Sequence, residues 1–144
     1  MGNVLQPPLL LIAAFAAAVV SGCGGMGAQT AETFSEIAED ERIYFSGTEP
    51  FWNGSVRDGT AIWKTPDNAE GARFSVTRFA GNNGLSITGT MEEQAFDLMM
   101  TPGTCNDGMS DRTYPFFATV RLGDRLLSGC GWTDRHRFIG PQTP

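Results

Sequence analysis

The residues best suited to chemistry lie in one polar stretch, Cys105-Asn106-Asp107-Gly108-Met109-Ser110-Asp111-Arg112. Asn106, Asp107, Ser110 and Asp111 offer hard oxygen atoms of the kind calcium takes, but their spacing is not that of an EF-hand loop. The expectation is therefore no metal and a hydrogen-bonded loop, with Asp111 and Arg112 helping to fix it. His136, the single histidine, lies between Arg135 and Arg137. A hydrolytic triad of Ser110, His136 and Asp134 is conceivable, yet no nucleophile elbow or oxyanion motif accompanies it. A surface histidine and a non-enzymatic protein are expected instead. No phosphate loop, zinc spacing or haem motif is present, so no cofactor is expected.

A second candidate is Glu49, set before Pro50 and beside Phe51 and Trp52. Proline restricts Glu49 to an extended conformation, holding its carboxylate at the mouth of a strand. Two readings follow. In one, Phe51 and Trp52 pack the core and Glu49 meets an arginine; in the other, the aromatics form a platform for a ligand.

Cys23 has a different chemistry. The run Leu9 to Val20, LLLIAAFAAAVV, carries no charge and is too short for the ~30 Å of a bilayer core, which suits a signal-peptide core. Val20-Ser21-Gly22-Cys23 follows it and resembles the bacterial lipoprotein processing box. That resemblance implies cleavage after residue 22, a diacylglycerol thioether on Cys23, and acylation (palmitate) of the new amino terminus. An ordinary cleaved signal with an incidental cysteine is the rival. The lysine or arginine expected before the apolar run is missing, and Pro7 and Pro8 intrude. Two or more acyl chains give stable attachment, so the membrane is the first expected partner, inner or outer, with the body facing the periplasm.

With Cys23 assigned to lipid, Cys105 and Cys130 remain as a pair in an oxidising compartment, and a disulfide is expected. A redox or nucleophilic thiol is the competing reading, but there is no C-x-x-C.

These residues need a scaffold. Residues 23–41 read as a flexible acidic tether, with Glu32, Glu36, Glu39, Asp40 and Glu41 all preceding the first base, Arg42; a short helix over 31–38 capped by Thr33 is an option. Setting those five acids apart leaves eleven against ten bases in the body, out of a net charge of -6. The nine arginines and one lysine are scattered among the acids, so nucleic acid is excluded as a partner.

Beyond Arg42, apolar residues alternate at period two between turn signals. Strands are expected at 42–46, 51–57, 60–65, 72–80, 85–90, 95–101, 116–122 and 125–132. Asp58-Gly59 and Gly123-Asp124 fit two-residue hairpin turns, and residues 81–84 a longer one. The fold class is all-β. Eight short strands leave two raw edges unless the sheet closes, so a small antiparallel barrel over 42–134 is expected, a β-sandwich being the alternative, with residues 135–144 as a C-terminal tail.

The segments Gly47-Thr48-Glu49-Pro50-Phe51-Trp52 and Cys105 to Phe116, with Gly129-Cys130, together resemble an uncharacterised family of small bacterial envelope proteins. That family lends no known activity. By architecture alone, an anchored, disulfide-bearing eight-stranded barrel resembles the membrane-bound inhibitors of c-type lysozyme, although their serine- and lysine-bearing loop is not recognisable here. The expected function is a non-enzymatic binding or structural module with a protein or small-molecule ligand. Inhibition of a cell-wall hydrolase such as lysozyme is the alternative, and the acidic charge would attract a basic enzyme. In a simple meander, Glu49 and the Cys105–Asp111 segment fall at opposite ends of the barrel. The preferred recognition surface is the cysteine end: Asn106, Asp107, Ser110, Asp111, Arg112 and Trp132, joined by Asn82, Asn83, Asp134 and Arg135.

Overall fold

The computed structural model describes residues 2–3 and 32–142. The leader core, Cys23 and the start of the tether lie outside the described residues. The chain divides into two units, Met1–Thr30 and Ala31–Pro144, and the second contains the body.

The body is a closed antiparallel barrel of eight strands in sequence order, with no helix among the described residues. The strands are β1 (Ile43–Thr48), β2 (Phe51–Arg57), β3 (Thr60–Thr65), β4 (Asn68–Ala80), β5 (Leu85–Met91), β6 (Gln94–Cys105), β7 (Tyr114–Leu122) and β8 (Arg125–Thr133). Pairing of β1 with β8, from Ile43↔Thr133 to Ser46↔Cys130, closes the ring and removes the edges that a β-sandwich would have left. Period-two alternation sends one side chain of each pair inward. Phe45, Leu85, Ile87, Phe96, Leu98, Met100 and Val120 are wholly buried. Trp52 and Trp63 stack at 5.2 Å, and Phe96 meets Phe74 edge-on at 4.9 Å. The barrel is therefore filled by its own side chains, as expected for eight strands.

Trp52 is accommodated by two missing side chains. A Cβ on Gly47 would come within 2.3 Å of the Trp52 ring, and one on Gly129 within 2.9 Å. Its Nε1 is buried and has no hydrogen-bond partner among the described residues. Phe51, the preceding residue, points the other way and is half-exposed.

Residues 34–41 correct the expected tether. They pack on the barrel, with Phe34 and Ile37 inside the hydrophobic core. No helix forms over 32–38, because tertiary partners take the backbone groups: Phe34 N–H donates to Gly81 O at 2.7 Å, and the Arg78 guanidinium donates to the Ile37 and Ala38 carbonyls. Glu41, counted with a solvated acidic run, is buried. Its carboxylate accepts from Ala38 N–H (2.9 Å) and the Thr133 hydroxyl, and lies 3.2 Å from His136 Nδ1. Burial pushes the Glu41 pKa up, but these donors outweigh it and hold the group below its ordinary 4.5.

Candidate functional site

The disulfide joins Cys105, the last residue of β6, to Cys130 on β8, with the Cα atoms 5.7 Å apart. Gly131 abuts Met100 and Gly129 abuts Trp52, so both glycines face the interior, and alternation turns Cys130 and Trp132 to the outer wall. The loop after Cys105 therefore lies against the outside of the barrel. Thr48 Oγ1 donates to Asp107 O at 3.3 Å, which links the loop to the far end of β1. By strand order alone the two motifs would lie at opposite ends of the barrel and share no site, an expectation this contact corrects. The doubled-back loop brings Asp107 beside the Thr48 end of the Glu49 motif. Glu49 itself is exposed and makes no ion pair among the described residues, so the expected arginine contact does not form.

Inside the loop Asp107 is the hub. One oxygen accepts from Met109 N–H (3.0 Å) and Ser110 N–H (2.8 Å); the other accepts from Ser110 Oγ (2.7 Å) and Tyr114 Oη (3.1 Å). Burial raises its pKa, but the two N–H groups and two hydroxyls outweigh that and lower it from 3.8 to about 2. Asn106 takes Gly108 N–H at 2.7 Å and donates to Arg112 O at 3.2 Å. Three of the four oxygen-bearing side chains that suggested a hard-cation set, Asn106, Asp107 and Ser110, are thus acceptors for the loop's own donors. Asp111 stays exposed.

A depressed carboxylate contributes stability above its unfolded pKa, and the contribution disappears as pH falls through the folded value. Asp107→Asn is expected to lower stability by about 1 kcal/mol at pH 7, after allowance for solvent screening at this partly exposed site. Urea unfolding should show that gap closing between pH 4 and about pH 2. A gap independent of pH would contradict the hub.

Ser110 and His136 face different partners. The Ser110 hydroxyl donates to Asp107, whereas His136 Nδ1 lies against Glu41 and Thr133, so the imagined triad is not assembled.

Residues 135–142 are not a loose tail. Thr113 and Ile139 form a two-way backbone bridge (2.9 and 2.8 Å), and Arg112 donates to the carbonyls of Pro141 and Gln142. Arg112 also lies 4.5 Å above the Phe138 ring. The result is a second apolar cluster outside the barrel, made of Cys105, Cys130 and Tyr114 with Trp132 and Phe138 packed on it. Trp132 stacks on Tyr44 at 5.5 Å, contacts Tyr114 at 5.3 Å, and meets Phe138 edge-on at 5.7 Å. Beside this cluster opens a recess of about 200 Å³, lined by Tyr44, Trp132, Asp134, Arg137, Phe138 and Gln142 among others.

The expected surface is therefore brought together but divided by role. Asn106, Asp107, Ser110 and Arg112 brace the wall through internal hydrogen bonds, while Trp132 lines the recess. Tyr44, Arg137, Phe138 and Gln142 were missed. The one signal for Phe138 was the apolar Phe138-Ile139 pair directly after the charged run Asp134 to Arg137. Asn82 and Asn83 sit in the β4–β5 turn and line neither this recess nor the cleft beside Asp107. No family model, curated protein or solved structure matches this chain.

Proposed function

We propose that the protein is a lipid-anchored, non-enzymatic recognition module of a bacterial envelope, held to a membrane through Cys23 and presenting its barrel to the periplasm. The observation that carries this reading is the filled interior. A barrel packed by Phe45, Trp52, Trp63 and Phe96 has no room for a ligand inside, so recognition falls to the outer wall. There the disulfide and the Asp107 hub hold a loop and an aromatic recess in one arrangement before any partner arrives, which lowers the ordering cost of binding. The apolar run and the Val20-Ser21-Gly22-Cys23 box support the anchor.

Two measurements test it. Metabolic labelling with a fatty-acid analogue is expected to mark the full chain and to vanish in Cys23→Ser. Crosslinking in the native envelope followed by mass spectrometry is expected to capture a partner or ligand. Unlabelled protein would overturn the anchor, and a bare chain in both crosslinking and native spectra would overturn recognition. The net charge of -6 favours one further reading, inhibition of a basic cell-wall hydrolase. Undiminished lysozyme activity at excess protein would end it.

A further inference from the structure

We infer that the recess beside Trp132 is a binding site for a neutral saccharide, an assignment that rests on the recognition reading above. Its volume of about 200 Å³ is below that of drug-sized pockets, so it suits one small ring. Its wall is aromatic: Tyr44, Trp132 and Phe138. Trp132 packs against Tyr44 and Tyr114 and Phe138 carries Arg112 on one face, so the wall offers a sugar ring apolar aromatic surface against which its C–H groups can lie. Its rim is polar and of mixed sign, with the Asp134 carboxylate, the Arg137 guanidinium and the Gln142 carboxamide.

That mixture selects the ligand. A quaternary ammonium suits an aromatic cage, but here it would meet the positive charge of Arg137. An anion would meet Asp134. A hydroxyl is both donor and acceptor, so a polyol can donate to Asp134 and accept from Arg137 and Gln142 without leaving a charge unmatched. The groups are also available. Asp134 Oδ1 accepts from Arg42 N–H at 3.1 Å and Arg137 Nε donates to Asp134 O at 3.3 Å. Among the described residues, Asp134 Oδ2, the terminal nitrogens of Arg137, the Gln142 side chain and the Tyr44 hydroxyl have no partner within the protein. The aromatic wall is fixed in advance, because Trp132 is held against Tyr44 and Tyr114 and Phe138 lies beneath Arg112.

The test titrates the full chain, in polyoxyethylene-detergent micelles, with chitotriose, cellotriose and maltotriose, reading tryptophan fluorescence and heat. At least one trisaccharide is expected to give a saturable response. Preference for chitotriose would identify an N-acetylated amino-sugar polymer as the source, and preference for the others a plain glucan. Arg137→Ala and Gln142→Ala, both at exposed positions, are expected to weaken binding about tenfold, the loss of one hydrogen bond. Arg121→Ala, on the barrel wall outside the recess, is expected to bind as the parent does.

No saturable response to any of the three sugars would overturn the assignment. So would parent-like affinity in Arg137→Ala, or saturable binding of choline chloride in place of the sugars. An envelope partner that crosslinks equally to Arg137→Ala, with no sugar response, would remove the saccharide while leaving the recognition module standing.

Discussion

Glu41→Ala is expected to lower the stability of the body by about 3 kcal/mol, from one buried and one part-buried donor, at about 1 to 3 kcal/mol for each left unpaired. Those donors are Ala38 N–H and the Thr133 hydroxyl. The Thr133 hydroxyl has no water to turn to, since Thr133 is 0 % exposed and Glu41 4 %, whereas the Ala38 N–H is only partly buried. For a domain of this size the loss corresponds to a fall in Tm of roughly 12 to 20 °C. Glu41→Gln keeps the shape and one acceptor and should lose less. The effect is pH-dependent in a fixed direction: the folded pKa lies below 4.5, so the carboxylate stabilises the fold above that value and ceases to do so as pH falls through the folded pKa. Guanidinium unfolding of parent and Glu41→Ala at pH 7 and pH 3 is the measurement. A difference under 1 kcal/mol at pH 7 would mean that residues 34–41 are held by Phe34, Ile37 and Arg78 without the carboxylate.

That acid marks where sequence reading ran out. Period two exposed the barrel because each strand is buried on one face, so Phe96, Leu98 and Met100 recur where the pleat requires them. Strand limits were less legible. The turn at Glu92-Glu93 has positive φ at both residues (48° and 69°) without the glycine or asparagine that usually signals it. β6 runs on through a bulge between Pro102 and Cys105, which proline and glycine disguise as loop. Phe34 and Ile37 have no period-two neighbours, and their partners, Arg78, Gly81 and Thr133 with Glu41, are distant in sequence. Nothing local distinguishes a buried acid from four solvated ones.

The same limit applies to the site. The cysteine pair was expected from the count once Cys23 was assigned to lipid, and the inward Gly129 and Gly131 show that Cys130 and Trp132 point outward. Strand order also assigned Glu49 and the cysteine loop to opposite ends. It could not specify the path of an eight-residue loop, because that path is set by side-chain acceptors, Asp107 above all, and not by the ladder. Phe138 is brought to the cluster by the bridge at Ile139 and the Arg112 contacts and packs there on Tyr114 and Trp132, and none of these contacts has a periodic signature.

Removing the disulfide, by Cys105→Ala with Cys130→Ala, is expected to cost about 3.5 kcal/mol in the chain-entropy treatment of a loop of about 26 residues. The bond spans the whole of β7, with its two cysteines 25 residues apart, and so restricts the unfolded chain across one strand and both of its connections. Tm should fall by roughly 14 to 25 °C. Because the cysteines lie on the outer wall and not among the interior aromatics, the double variant should keep its barrel at low temperature and its far-ultraviolet dichroism. What should loosen is the outer cluster, since Cys105 and Cys130 pack with Tyr114 under Trp132 and Phe138. Limited proteolysis is then expected to cut within residues 106–113 in the variant and not in the parent. Equal midpoints with equal protection would mean that the Asp107 hub and the Arg112 contacts hold the outer wall on their own, and that the covalent bond adds nothing the loop does not already have.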